Sequence, residues 1–225
     1  DDETEATYKN KSITIPATPC FNNYSDDTYD GYPVYCLLDN LGIALNGVSL
    51  FSPSGNDACD DAVESEKETF DTCGGHAEPS GTYHYHSAPA CLLDQLDDAD
   101  EVNPDGHSPQ VGWAYDGFPV YGPHGLDGSY VLPCNLTGAN QSDCLDNCGG
   151  HRQHTMDGFK YHYHVAGPVG DLESTPMNPL PSTDRFPYTF GCFRGIPSDW
   201  SQTTVGEVPA LECVESGVTD DYVPK

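Results

Sequence analysis

The chain has 225 residues, long enough for one large domain or two small ones that share a core. Its 36 acidic and 8 basic residues give a formal charge of −28, which argues against nucleic acid or anionic lipid as a partner and favours cations. Ten cysteines and the lack of any apolar run long enough to span a bilayer point to a disulfide-bonded, secreted, extracellular protein with no transmembrane segment.

Residues 1–41 form an N-terminal arm and lead-in. The arm is acidic up to residue 11, then alternates as Ser12-Ile13-Thr14-Ile15 before Pro16, a short strand pattern. It precedes the first cysteine, so no disulfide anchors it, and the strand is expected to be free to add to a neighbouring subunit's sheet. Four glycosylation sequons, at Asn10, Asn23, Asn135 and Asn140, fit a secreted glycoprotein carrying N-linked glycans. No signal-peptide pattern opens the sequence, and Asp1 is expected to begin a processed chain.

Residues 42–53 alternate small or polar with aliphatic and aromatic side chains between Gly42 and Pro53, a pattern for short strands joined by a tight turn. A helix is expected over about 58–71, capped by Asp57, with Val63 and Phe70 on one side. Cys73-Gly-Gly-His76 and Tyr83-His84-Tyr85-His86 follow, and residues 42–91 make a first unit. An acidic linker, 92–111, leads to a second unit, 112–195, which ends in the apolar closing strand Phe186-Pro-Tyr-Thr-Phe-Gly-Cys192-Phe. Residues 196–225 are a C-terminal extension.

The second unit repeats the first. Gly42-Ile-Ala-Leu-Asn46-Gly-Val-Ser-Leu-Phe51-Ser-Pro53 aligns without gaps on Gly112-Trp-Ala-Tyr-Asp116-Gly-Phe-Pro-Val-Tyr121-Gly-Pro123, and Cys148-Gly-Gly-His151 with Tyr161-His162-Tyr163-His164 repeats the histidine runs. The offset grows in small steps, as insertions in loops between fixed elements produce. The segment that follows the second Cys59-like cysteine carries two sequons and is expected to be irregular rather than helical. With many Gly, Pro and Tyr, the fold expected is mainly β, a β-rich α+β arrangement of two tandem pseudo-repeats. They pack as one disulfide-stabilised domain with short helices and long ordered loops. Cys20, Cys36, Cys59, Cys73, Cys91, Cys134, Cys144, Cys148, Cys192 and Cys213 are all candidates for disulfides, and spacing does not choose among the connectivities.

Chemistry concentrates in the histidines. In a strand, Tyr-His-Tyr-His sends both histidines to one face and both tyrosines to the other. A Gly-Gly turn could return a third imidazole to the same place, giving His76 with His84 and His86, and His151 with His162 and His164, as metal ligand sets. Imidazoles suit Zn²⁺ or Cu²⁺ rather than Mg²⁺ or Ca²⁺. The competing reading is that these histidines are hydrogen-bonded structural residues of an aromatic sheet. The unrepeated His107, His124 and His154 read as structural or surface residues. Acidic clusters at Asp26-Asp27, at Asp57, Asp60 and Asp61, and from Asp94 to Glu101 suggest Ca²⁺ at the surface, although none has the spacing of a calcium-binding loop.

The two histidine runs, with Gly42-Ile-Ala-Leu-Asn-Gly-Val, His107-Ser-Pro, Gly112 to Pro123 and Phe186 to Gly195, resemble YHYH-domain proteins over about 42–195. The resemblance implies an extracellular domain and brings no established activity. The sequence holds no convincing nucleophile or paired-carboxylate motif, so catalytic residues are not assigned. The leading expectation is a secreted structural subunit that self-assembles, or joins another extracellular protein, into a filament or layer. The alternative is a zinc or copper metalloenzyme or metal-binding protein, with Asp116, Tyr83 or Tyr161 as an acid–base partner of the metal.

Overall fold

The computed structural model describes residues 4–22, 40–55, 60–66, 68–98, 106–134, 139, 143–155, 158–165, 188–198 and 213–214. Among the described residues, ten strands and two helices follow one another along the chain. They are β1 (Phe21–Asn22), β2 (Asn40–Ala44), β3 (Ser49–Phe51), α1 (Ala62–Ser65), β4 (Gly75–Ala77), β5 (Tyr83–Tyr85), α2 (Ala90–Asp98), β6 (Gln110–Ala114), β7 (Pro119–Tyr121), β8 (Gly150–Thr155), β9 (Gly158–His164) and β10 (Cys213–Val214). The architecture is mainly β, as expected. Eight strands form one sheet in the order β4-β5-β3-β2-β6-β7-β9-β8, while β1 and β10 pair separately.

The sheet has the same pairings in both halves. β2 and β3 form an antiparallel hairpin, as do β6 and β7. Each hairpin turns at a glycine with positive φ, Gly47 after Asn46 and Gly117 after Asp116, a conformation that costs a residue with a Cβ. The second strand of each hairpin then pairs in parallel with the Tyr-His-Tyr-His strand: Ser49 lies opposite His84, and Val120 opposite Tyr163. Each histidine strand pairs antiparallel with the edge strand that follows Cys-Gly-Gly. The halves meet where β2 and β6 run antiparallel, with Gly42 opposite Ala114, Ile43 opposite Trp113 and Ala44 opposite Gly112. That register maps onto itself when the two aligned segments are exchanged.

One face of the sheet carries the core. Leu41, Leu50, Tyr85, Val111, Tyr115, Phe118, Val120, Tyr161 and Tyr163 are buried there, and Leu92 and Leu93 pack on them from α2. Phe190 closes this face by stacking on Tyr163, ring centroids 4.7 Å apart. Three disulfides tie the edges: Cys73–Cys91, Cys134–Cys144 and Cys148–Cys192. Cys20 is also disulfide-bonded, while Cys36 and Cys59 lie outside the described residues and only the backbone of Cys213 is described.

Several expectations are corrected. The helix expected over 58–71 is a single turn, Ala62–Ser65, capped by Asp61, whose side chain accepts from the Glu64 N–H, while Asp57, the expected cap, lies outside the described residues. Downstream, Thr69 and Phe70 are held against His76, and this tertiary contact overrides helix propensity. About a third of the expected acidic linker, residues 92–98, is α2, whose Leu92, Leu93 and Leu96 make an apolar stripe while Asp94 and Gln95 face outward. The closing segment buries Tyr188, Phe190, Cys192 and Phe193 without forming a strand.

Nor is the arm unanchored. Ser12, Ile13, Thr14 and Ile15 form no strand; Ile13 and Ile15 turn inward onto the chain's own core, and Ser12 and Thr14 face outward. Ahead of them, the Thr7 N–H donates to the Gly81 carbonyl at 2.9 Å and the Lys9 ammonium to the Ser80 carbonyl at 2.6 Å. Burying the two isoleucines on the chain's own sheet satisfies the alternation that had suggested a strand for a neighbour. Asn10 is exposed, and Asn23, Asn135 and Asn140 lie outside the described residues.

Candidate metal centres

Each site is built from a turn and a strand. In the first half, the Asp71 carboxylate accepts from the N–H groups of Cys73 (2.9 Å) and Gly75 (3.2 Å), and the Asp71 N–H donates to the Gly75 carbonyl at 2.9 Å. The second half repeats this around Asp146, with Cys148 at 2.9 Å, Gly150 at 3.2 Å and a return bond of 2.8 Å. The tight turn explains the paired glycines. Gly74 and Gly149 have positive φ, and a Cβ on Gly75 or Gly150 would strike the ring of Tyr83 or Tyr161. These tyrosines donate to the same aspartates, at 2.6 and 3.0 Å. The turn so formed sets His76 opposite His84 and His151 opposite His162.

The alternation expected of Tyr-His-Tyr-His holds. The tyrosines take the core face, and the histidines converge on the other. In the first centre, His84 Nε2 lies 3.0 Å from His76 Nε2 and 2.9 Å from His86 Nε2. In the second, His151 Nε2 lies 3.1 Å from both His162 Nε2 and His164 Nε2. A fourth ring joins them, with His107 Nε2 3.3 Å from His162 Nε2. All seven rings are buried. Among the described residues, these two sets are the groups of side chains able to hold a metal ion.

The Nδ1 atoms reveal the tautomers. His84 Nδ1 is 3.0 Å from the Thr82 carbonyl, and His86 Nδ1 is 2.5 Å from the Ser52 carbonyl. A carbonyl only accepts, so both Nδ1 atoms carry hydrogen. His76 Nδ1 is 2.6 Å from Thr69 Oγ1, whose own proton goes to the Glu66 carbonyl at 2.7 Å, so this ring also donates through Nδ1. A neutral imidazole protonated at Nδ1 has a bare lone pair at Nε2. Three such lone pairs meet at hydrogen-bond distance with no proton to share. In the second centre, His164 and His107 donate in the same way to the carbonyls of Gly122 (2.5 Å) and Ser108 (2.7 Å), and His151 Nδ1 lies 3.4 Å from the Asp143 carboxylate.

A proton could relieve the repulsion only by making an imidazolium, which burial opposes. Burial, aided by the charge of neighbouring histidines, pushes His76 down to about 4, His86 to about 3 and His164 well below its ordinary range; burial and His107 push His151 to about 4. A metal cation satisfies what a proton cannot. The donors fit one, since metal-bound histidines characteristically give their other N–H to a carbonyl or carboxylate.

The centres lie far apart. Ile43 and Trp113 occupy the same face between them, and five inter-strand spacings of about 4.8 Å separate β5 from β9, roughly 24 Å in all. They are therefore two separate histidine groups, too far apart to share a binuclear centre. Asp116, expected beside the metal, is on the core face. It is fully buried, accepts from Tyr163 Oη (2.6 Å), Gly195 N (2.8 Å) and Phe118 N (3.3 Å), and is pushed up to about 6 by burial. Tyr83 and Tyr161 are likewise committed to their aspartates, so none of the three expected acid–base partners faces a histidine centre.

Sequence reasoning missed His107, which comes from a loop outside the repeat. Its signal was Gly106-His-Ser-Pro, which the resemblance had included. His124 pairs with Ser108, its N–H donating to Ser108 Oγ at 2.9 Å, and His154 lies on β8 with its side chain outside the described residues. Asp71 and Asp146 were also missed; their signal is the Asp-x-Cys-Gly-Gly-His pattern that both halves share.

Fold and site define a disulfide-stapled β domain with two buried polyhistidine centres. The family profile described as YHYH protein matches residues 12–130, and the chain belongs to that family. The match begins before the span inferred from the motifs and ends ahead of the second Cys-Gly-Gly-His. No curated protein and no solved structure matches the chain.

Proposed function

We propose that the chain is a secreted metal-binding structural protein that holds one Zn²⁺ or Cu²⁺ ion in each half of a duplicated domain. The observation that carries this is the convergence of buried imidazole Nε2 atoms, three in the first half with every Nδ1 protonated and four in the second with His107 and His164 so protonated. Imidazole donors favour zinc and copper over magnesium and calcium. Burial of the rings and the packing of Phe51 on His84 at 4.0 Å favour an ion that supports the fold. The disulfides fit an oxidising compartment, and no helix among the described residues is long and apolar enough to cross a membrane.

The two units, 42–91 and 112–195, are read as copies of one ancestral half. Their matched turns, pairings and carbonyl acceptors support that reading. N-linked glycans at the sequons, Asn10 first because it is exposed, fit the same compartment. Assembly into filaments loses its main support, because the arm seats on its own chain. Surface calcium has no gathered carboxylate set among the described residues to favour it.

Elemental analysis by mass spectrometry of protein purified without chelators tests the reading. Two equivalents of zinc or copper per chain are expected, falling to one in His86→Ala and in His164→Ala. Metal-free protein that takes up neither ion on reconstitution would overturn it.

A further inference from the structure

The two centres are not equivalent in their donors. The second gathers four imidazoles, the full set for a closed tetrahedral ion. The first gathers three, and no histidine remains to complete it: His107 serves the second centre, His124 pairs with Ser108, and His154 is on β8 at the opposite edge of the sheet from β4. What stands beside the three is a carboxylate. Glu66 Oε2 lies 3.3 Å from His76 Nε2, outside the group of atoms close enough to share an ion, and its side chain is 31% exposed.

We propose that the first centre keeps an exchangeable fourth position, open to water or a small anion, and that Glu66 borders this position, while the second centre is closed by His107. The inference rests on the metal-binding reading. Three imidazoles plus one labile ligand is the donor set of zinc sites that bind small molecules, whereas four protein ligands leave no position for one. Glu66 caps the C-terminal end of α1 and sets its carboxylate 3.3 Å from His76 Nε2, beside the place where an ion on that nitrogen would be held. Its negative charge would also oppose an incoming anion there. The carboxylate near the second centre, Asp143, lies instead 3.4 Å from the outer nitrogen of His151, away from the converging Nε2 atoms.

Cobalt substitution with azide as the probe distinguishes the centres. Co²⁺ replaces zinc with visible absorption that reports geometry. In the full chain carrying two Co²⁺, azide should change the spectrum of one ion only. His84→Ala should leave one Co²⁺ that ignores azide, and His162→Ala one that responds. Glu66→Gln should retain both ions and bind azide several-fold more tightly. His107→Ala, where circular dichroism shows it folded, should add a second azide-responsive ion. Two bound Co²⁺ ions that both respond, or both fail to, in the unaltered protein would overturn the inference while leaving metal binding intact. Failure to bind Co²⁺ or Zn²⁺ at all would instead overturn the reading on which it rests.

Discussion

The first and second halves of the sheet place matching residues at matching positions and enclose them differently. Asp71 is exposed and its partner Tyr83 half-buried. Their counterparts are more enclosed: Tyr161 is buried, the Asp146 side chain is 6% exposed, and the Arg194 guanidinium reaches Asp146 at 2.9 Å to compensate the charge. Asn46, which donates to Tyr85 Oη at 3.1 Å, becomes Asp116, which accepts from Tyr163 Oη at 2.6 Å, while Tyr163 Oη in turn accepts from Arg194 N at 2.7 Å. The segment from Phe190 to Gly195 accounts for these differences, since its Phe190, Cys192, Arg194 and Gly195 meet Tyr163, Cys148, Asp146 and Asp116 of the second half. A shared backbone plan thus supports one half that is sealed and charge-compensated and another that stays nearer to solvent.

Acid should have the largest effect. His76, His86 and His151 are held well below their ordinary value of 6.5 in the fold, so the unfolded chain takes up protons first as pH falls. Stability should be full above about pH 6.5 and decline as pH drops toward 4. Asp116, raised to about 6 by burial, acts in the opposite sense between about 4 and 6, and Asp61, Glu66, Asp143 and Asp146, also raised by burial, act with it, so the decline is smaller than the imidazoles alone would give. Circular dichroism across this range should show an acid transition that added zinc or copper moves to lower pH. An unchanged signal down to pH 4 in metal-free protein would break this account of both halves.

Disulfides come next. Cys148–Cys192 spans 44 residues and Cys73–Cys91 spans 18, so chain entropy predicts losses of about 4 and about 3 kcal/mol when each pair is replaced by serine. Denaturant titration should rank the second-half variant as the less stable, and the reverse order would mean that closure by 188–195 contributes little. The smallest effect tests the Asn–Asp exchange. Asp116→Asn, keeping its oxygen on Tyr163 and Gly195, turns an amide N–H toward the Phe118 N–H and should cost about 2 kcal/mol, whereas Asn46→Asp, in a half-open turn, should cost less than about 1 kcal/mol. Equal losses in the same titration would remove the distinction between the halves.

The sequence made visible whatever is periodic or local. Period two placed His84 and His86 opposite Tyr83 and Tyr85, and Asn-Gly and Asp-Gly marked the hairpins. What depended on long-range packing was hidden. His107 belongs to no repeat and reaches His162 only because the fold brings together residues 55 positions apart. The leucines of α2 were masked by the acidic residues between them, and the alternation of Ile13 and Ile15 is the same whether the apolar face meets its own chain or another. Disulfide pairing likewise followed from topology: Cys73 and Cys148 each bond the cysteine of the segment that folds back over their own turn, where the Ala90 and Gly191 N–H groups donate to the two cysteine carbonyls.

The central claim is that each half holds a metal ion on imidazole nitrogen. X-ray absorption spectroscopy at the zinc and copper edges of purified, reconstituted protein addresses it most directly. The account predicts a first shell dominated by nitrogen at about 2.0–2.1 Å with the outer-ring scattering of imidazole. A first shell of oxygen or sulfur without imidazole scattering, or no bound metal, would contradict it.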